Sequence, residues 1–95
     1  MRKRGRVDDN QPEIVRALRK VGATVESMAN LGCGLPDILV GFQGETHLME
    51  IKDGAKPPSK RKLTKDEEKF FGNWRGGSLS VVESIEDAMA VIGVA

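Results

Sequence analysis

Residues 36–52 read Pro-Asp-Ile-Leu-Val-Gly-Phe-Gln-Gly-Glu-Thr-His-Leu-Met-Glu-Ile-Lys, and this is the most informative stretch of the chain. Two apolar, strand-like runs flank Gln43-Gly44, a dipeptide that suits a two-residue hairpin turn. One run begins with Asp37 and the other carries Glu50, both among residues that a small core needs. Unpaired charges in such surroundings are costly. A metal ion and a phosphate group would explain why the acids are there.

The position of the turn determines which side chains meet. With Gln43-Gly44 as the turn, Asp37 faces Glu50, with their Cβ atoms roughly 5 Å apart. With Gly44-Glu45 as the turn, Asp37 faces Lys52, which shares the face of Glu50 because strand side chains alternate. A register between these two would separate the set, since a slip of one residue exchanges the faces. Two carboxylates and a lysine therefore converge in two of the three registers.

This group of side chains has a chemical interpretation. A site with two carboxylates suits Mg²⁺, which keeps several waters and completes its shell with phosphate oxygens. The main-chain carbonyl of Ile51 is placed to be a further ligand. The pattern favours metal-dependent phosphodiester hydrolysis, in which Lys52 positions the attacking hydroxide or neutralises the transition state. The alternative is that Asp37 marks a strand end and that Glu50 and Lys52 form a solvated pair on an edge strand.

Composition limits the class of protein. The length of 95 residues indicates one globular domain. The net charge of +1 indicates little about which partners the protein binds. Its apolar runs are shorter than the roughly 18–20 residues that span a bilayer, so we expect no membrane association. Cys33 is the single cysteine, which excludes an internal disulfide and favours a reducing, cytoplasmic location.

The pattern of apolar residues and caps predicts an α/β fold in the order α-β-β-β-α-β-α, with a mixed four-stranded sheet flanked by helices. Residues 1–9 are predicted to be a flexible basic arm, and residues 10–95 a single domain. Helix starts are predicted at Asn10 with Glu13, at Thr64 with Glu67 and at Ser84 with Asp87. Predicted strands are 23–28, 37–42, 45–52 and 79–82. Residues 53–63 are predicted to be irregular.

Several motifs together resemble one nuclease family. Gly34-Leu35-Pro36-Asp37 followed by Glu50-Ile51-Lys52 looks like the signature of the PD-(D/E)XK nuclease superfamily. The agreement extends to the stand-alone VRR-Nuc proteins of phages and prophages, over residues 8–92. It includes Asn10-Gln11-Pro12-Glu13-Ile14-Val15, Lys52-Asp53-Gly54, Pro57-Pro58-Ser59 and Leu63-Thr64.

The resemblance implies a restriction-endonuclease-like core that binds Mg²⁺ or Mn²⁺ and hydrolyses DNA to 5′-phosphate and 3′-hydroxyl ends. It also implies a homodimer that nicks branched DNA symmetrically, as Holliday junction resolvases do. Carried over by residue, Asp37 and Glu50 are metal ligands and Lys52 is the catalytic lysine. Glu13 matches the additional acid of the first helix, which contacts metal-bound water or a second metal. A flap or nicking nuclease and a noncatalytic nucleic-acid-binding module are the alternatives.

The second helix departs from the family pattern. The family often carries a glutamine near the start of this helix, whereas this chain has Glu67 and Glu68. An ionised carboxylate cannot donate a hydrogen bond as an amide can.

A cationic loop follows the motif. Next to a phosphodiesterase site it is predicted to contact DNA phosphates, and the alternative is a solvated linker. No base-reading element is evident, so we expect recognition of DNA shape. The predicted contact residues are Lys56, Ser59, Lys60, Arg61 and Lys62.

Overall fold

The computed structural model describes residues 9–94, so the predicted basic arm lies outside the described residues except for Asp9. The predicted order of elements is confirmed. The helices are α1 (Gln11–Lys20), α2 (Lys65–Asn73) and α3 (Ile85–Ile92), and the strands are β1 (Thr24–Ser27), β2 (Ile38–Phe42), β3 (Glu45–Ile51) and β4 (Ser78–Val82). The prediction of irregular structure for residues 53–63 is wrong at Pro58–Lys60, which form one 3₁₀ turn.

The four strands form one sheet in the order β1-β2-β3-β4. The pairs β1–β2 and β2–β3 are antiparallel, and β3–β4 is parallel. The sheet is therefore mixed, as predicted. Because β3 is central and lies antiparallel to β2, the end of β3 meets the start of β2.

The register of the central hairpin is the first of those expected from the sequence. Ile38 pairs with Met49 and Phe42 pairs with Glu45. Gln43 and Gly44 both have positive φ angles, of 50° and 82°. Those angles match a type I′ turn, whose twist suits a two-residue hairpin. One further step along this register sets Asp37 opposite Glu50.

The two faces of the sheet differ in character. Helices α1 and α3 pack on one face through a fully buried core that includes Ile14, Leu18, Met49 and Ile51. Alternation along β3 then directs Leu48, Glu50 and Lys52 towards the opposite face. The start of α2 lies on that second face, where Glu67 contacts Lys52.

Two of the three predicted helix caps are confirmed. Thr64 and Glu67 form a reciprocal capping box at α2, and the Ser84 side chain accepts a hydrogen bond from the backbone N–H of Asp87 at α3. The predicted capping role of the Asn10 side chain is wrong. Asn10 has a helical backbone instead of the extended one typical of a capping residue. Its side-chain amide donates to the carbonyls of Lys52 and Glu83, both at 3.2 Å.

Between residues 9 and 94, none of the helices has the length and apolar character needed to cross a membrane.

Candidate metal and phosphate site

Asp37 and Ile51 connect the two strands of the hairpin at its open end. The Oδ2 atom of Asp37 accepts a 2.7 Å hydrogen bond from the backbone N–H of Ile51. The next N–H, that of Lys52, donates instead to the carbonyl of Val82 at 3.0 Å. Successive peptide groups of a strand point to opposite neighbours, so the carbonyl of Ile51 points to the side of Asp37. Two carboxylates and this carbonyl therefore face one region.

Glu50 is a buried carboxyl group with little compensation. Its residue is 2% exposed, and its Oε1 atom has no hydrogen-bond partner among residues 9–94. The other oxygen, Oε2, lies 3.6 Å from the Nζ atom of Lys52. Burial, reinforced by the negative charge of Asp37, raises the pKa of Glu50 to about 9. A bound cation would favour the ionised form of this group.

Glu67 is a third carboxylate at the site. Its Oε1 atom accepts hydrogen bonds from the Nζ atom of Lys52 at 2.9 Å and from the backbone N–H of Thr64 at 2.8 Å. Burial alone would raise the pKa of Glu67, but hydrogen bonds led by the one from Thr64 outweigh it and lower the pKa. Glu67 is therefore an ionised partner for Lys52 at neutral pH.

A cavity of about 480 Å³ opens over these groups. Asp37, Glu50, Lys52 and Glu67 line it together with part of the cationic loop. Of the predicted DNA-contact residues, those that line this cavity are Lys56, Ser59, Lys60 and Lys62. The structure thus brings Lys52 and three lysines of the cationic loop to the same opening as the acidic side chains.

Arg61, the fifth predicted contact, has a different environment. Its Nη1 atom lies 3.2 and 3.3 Å from the two carboxylate oxygens of Glu83. Its Nε atom donates to the carbonyl of Lys56 at 2.8 Å. These bonds hold the cationic loop against the end of β4, and Arg61 does not line the cavity. Its position indicates a role in loop structure.

Glu13 is not brought together with Asp37, Glu50 and Lys52. It is exposed on α1 and lines a separate cavity of about 600 Å³ with Asp53 and other acids. That cavity has no cationic side chain in its lining. We therefore leave Glu13 out of the candidate metal site.

The loop before Asp37 approaches α2 closely. Gly32, Cys33 and Gly34 have consecutive positive φ angles of 66°, 59° and 78°. A Cβ atom at Gly34 would collide with the backbone carbonyl of Asp66 in the first turn of α2. Glycine is therefore required at this position, both for its conformation and for the close contact. The contact forms one wall of the cavity.

The donor set fits a hard divalent cation. Within the described part of the chain, no group of three or more His, Cys, Asp or Glu side chains is arranged to hold a metal ion. The donors are instead two carboxylates and a carbonyl, in an open cavity that leaves room for water and phosphate. Mg²⁺ is bound in this way in phosphate-processing sites, whereas a structural Zn²⁺ site would need four protein ligands. The unpartnered Oε1 atom of Glu50 is an available ligand.

Sequence reasoning placed Glu67 in a helix cap and left its contribution to the site open. The Thr64–Glu67 spacing identifies the cap, because both partners are local. The contact with Lys52 depends on how α2 lies across the sheet, for which the sequence carries no local signal. The burial of Gln11 was not predicted either. This residue is 5% exposed, and its Oε1 atom is buried without a hydrogen-bond partner among residues 9–94.

No protein-family model matches the chain, and searches of the curated proteins and of the solved structures likewise return no match.

Proposed function

We propose that this protein is a Mg²⁺- or Mn²⁺-dependent endonuclease that hydrolyses phosphodiester bonds in branched DNA, such as Holliday junctions. One observation carries the proposal: the buried carboxyl group of Glu50, whose Oε1 atom has no hydrogen-bond partner among residues 9–94, lies with Asp37 and Lys52 in a cavity bordered by lysines. A structural ion pair would explain Glu50 and Lys52, but it would not explain the adjacent Asp37 or the open cavity.

Asp37, Glu50 and the carbonyl of Ile51 would hold the cation. When bound, it would lower the pKa of a water molecule and offset the charge that develops on the phosphate. The protein contributes a fixed arrangement of donors, since the 2.7 Å bond from Ile51 orients one oxygen of Asp37. Burial of Glu50 excludes bulk water from that side of the site.

Lys52 supplies the positive charge of the protein itself. Its ammonium group lies between Glu50, at 3.6 Å, and Glu67, at 2.9 Å, on the wall of the cavity. From there it stabilises charge on the phosphoryl oxygens or orients the attacking water. A lysine held in place by a neighbouring carboxylate acts without reorganising during the reaction.

The cationic loop would bind the DNA backbone. Lys56, Lys60 and Lys62 line the same cavity as the acids, and Ser59 adds a hydroxyl group. Such contacts position a duplex without reading its sequence, which suits recognition of DNA shape. A homodimer with twofold symmetry would supply two sites for two symmetric nicks.

Cleavage of defined DNA structures tests the proposal. Four-way junction, flap, duplex and single-stranded DNA would be incubated with the protein in Mg²⁺, Mn²⁺ or EDTA. We expect metal-dependent cleavage of branched DNA that is lost in Asp37→Asn, slowed to a low but measurable single-turnover rate in Lys52→Ala, and retained in Glu13→Gln. Binding without cleavage in every metal would favour a noncatalytic DNA-binding module. Preferential cleavage of flaps would favour a flap nuclease, and cleavage in EDTA would contradict the metal site.

A further inference from the structure

We propose that Glu67 is a positioning residue that fixes the ammonium group of Lys52 by means of the first turn of α2. The inference rests on the proposed function for its catalytic meaning. The contact on which it is built is independent of that function. The Glu67–Lys52 bond joins α2 to β3 across the second face of the sheet.

The geometry favours Glu67 over Glu50 as the partner that fixes Lys52. The Nζ atom of Lys52 is 2.9 Å from Glu67, within hydrogen-bond distance, but 3.6 Å from Glu50. The side chains of Lys52 and Glu67 are 11% and 16% exposed, so solvent weakens their attraction less than at an open surface. The lysine side chain is a flexible stem of four carbons. One strong, partly buried hydrogen bond therefore limits where its charge can lie.

Glu67 is itself held by the helix cap. The oxygen that binds Lys52 also accepts the N–H of Thr64, and the Thr64 hydroxyl accepts the N–H of Glu67 at 3.2 Å. These bonds set the position of the carboxylate before any substrate binds. The place of the lysine charge is therefore tied to the start of α2, where Gly34 approaches Asp66 closely.

The neighbouring acids of α2 do not share this position. Glu68 is exposed and does not line the cavity over Glu50. Asp66 lines the cavity but is exposed. Glu67 is thus the acid of the first turn of α2 that contacts Lys52, and Glu68 offers a matched control variant on the same helix.

A double-mutant cycle on cleavage tests the role of Glu67. In single-turnover cleavage of a four-way junction with Mg²⁺, we expect Glu67→Ala to slow the rate by about 10–100-fold, as misplacement of a reacting group does. Glu67→Gln, whose amide oxygen accepts the same two hydrogen bonds, should remain within about fivefold of the wild-type rate. In a Lys52→Ala background, Glu67→Ala should change the rate by less than about twofold, because its effect requires the lysine.

Two controls separate positioning from stability. Thr64→Ala removes the hydroxyl side of the cap, so any loss of rate that it causes through Glu67 should disappear in a Lys52→Ala background. Glu68→Ala should leave the rate within about twofold of wild type. Additive effects of Glu67→Ala and Lys52→Ala would overturn the proposal, as would a Glu67→Gln rate as low as that of Glu67→Ala.

Unfolding measurements test whether Lys52 and Glu67 interact, even if the protein does not cleave DNA. The same four proteins, wild type, Lys52→Ala, Glu67→Ala and the double variant, would be unfolded in urea. We expect the losses of the single variants to exceed that of the double variant when summed, because each single change already removes the whole partly buried Lys52–Glu67 contact. Additive losses would overturn the contact. Failure of all proteins to cleave DNA, with non-additive unfolding, would contradict the nuclease function alone.

Discussion

The carboxylate of Asp37 accepts a 2.7 Å hydrogen bond from the backbone N–H of Ile51, across the open end of the β2–β3 hairpin. This bond continues the pairing of the two strands by one residue through a side chain. It fixes Asp37 opposite Glu50 and leaves the Ile51 carbonyl on the same side. One interaction therefore serves both the hairpin and the candidate metal site.

Two substitutions at Asp37 should separate these roles. Asp37→Asn keeps an oxygen that accepts from Ile51, so we expect a stability within about 1 kcal/mol of wild type. Asp37→Ala leaves the N–H without its partner, and we expect it to lose about 1–3 kcal/mol. Urea unfolding measures both. Equal destabilisation by the two variants would show that the charge of Asp37, and not its hydrogen bond, supports the fold.

Glu50 should lower the stability of the metal-free protein as the pH rises. Its pKa is raised from 4.5 to about 9, so the folded state binds a proton that the unfolded chain has released between these values. This contribution to stability is complete below pH 4.5 and is lost as the pH rises towards 9. Glu50→Gln removes the effect, and we expect it to be more stable than wild type by about 1–3 kcal/mol at pH 8.

The measurement is urea unfolding of both proteins in EDTA from pH 5 to pH 8. The stability advantage of Glu50→Gln should grow across this range. Addition of Mg²⁺ at pH 8 should stabilise the wild type and leave Glu50→Gln unchanged. A constant difference between the two proteins at every pH would contradict a protonated Glu50.

The lysines of the cavity should control DNA affinity and its salt dependence. Each of Lys60→Ala and Lys62→Ala should weaken binding of a four-way junction and reduce the slope of log affinity against log salt by about 1. Lys20→Ala, which removes an exposed cation at the end of α1, serves as the matched control. Fluorescence anisotropy at several salt concentrations measures the slopes. A slope for Lys20→Ala as reduced as those of the cavity variants would indicate binding by overall charge.

We expect Arg61 to stabilise the cationic loop and not to bind DNA directly. Removal of its contacts with Glu83 and with the Lys56 carbonyl should expose the loop to proteolysis. We expect Arg61→Ala to be cut faster by trypsin after Lys60 or Lys62 than wild type, measured by mass spectrometry. Unchanged cleavage rates at these lysines would contradict the structural role.

Gly34 and Gly32 provide a matched pair of substitutions. Both have positive φ angles, but a Cβ atom at Gly32 meets no atom within 4 Å, whereas one at Gly34 collides with Asp66. Gly32→Ala should therefore cost about 1 kcal/mol for backbone strain, and Gly34→Ala should cost clearly more. Thermal unfolding compares the two variants. Equal losses would contradict the close contact between this loop and α2.

The sequence predicted those features that depend on residues near each other in the chain. Gln43-Gly44 was one of the two turns expected to bring Asp37 together with Glu50 and Lys52, and the spacing of Thr64 and Glu67 identified a capping box. In both cases the period of the backbone and the geometry of a turn act over a few residues. The convergence of Asp37, Glu50 and Lys52 follows from the same local rules.

The remaining features depend on how helices and loops lie across the sheet. Asn10 is a residue type that often caps helices, but its side chain binds backbone carbonyls just after the ends of β3 and β4 instead. Glu13 and Arg61 both have residue types suited to the site, and both face other surroundings. Long-range contacts of this kind compete with local preferences and leave no periodic signal in the chain.

The most direct test of the proposed function is cleavage of a four-way junction under single-turnover conditions, with wild type and Asp37→Asn compared in Mg²⁺ and in EDTA. We predict that wild type cuts the junction to 5′-phosphate ends in Mg²⁺ and not in EDTA. Asp37→Asn, folded to the same extent, should show no cutting in either. Equal cleavage by the two proteins, or cleavage by wild type in EDTA, would contradict a metal centre built on Asp37 and Glu50.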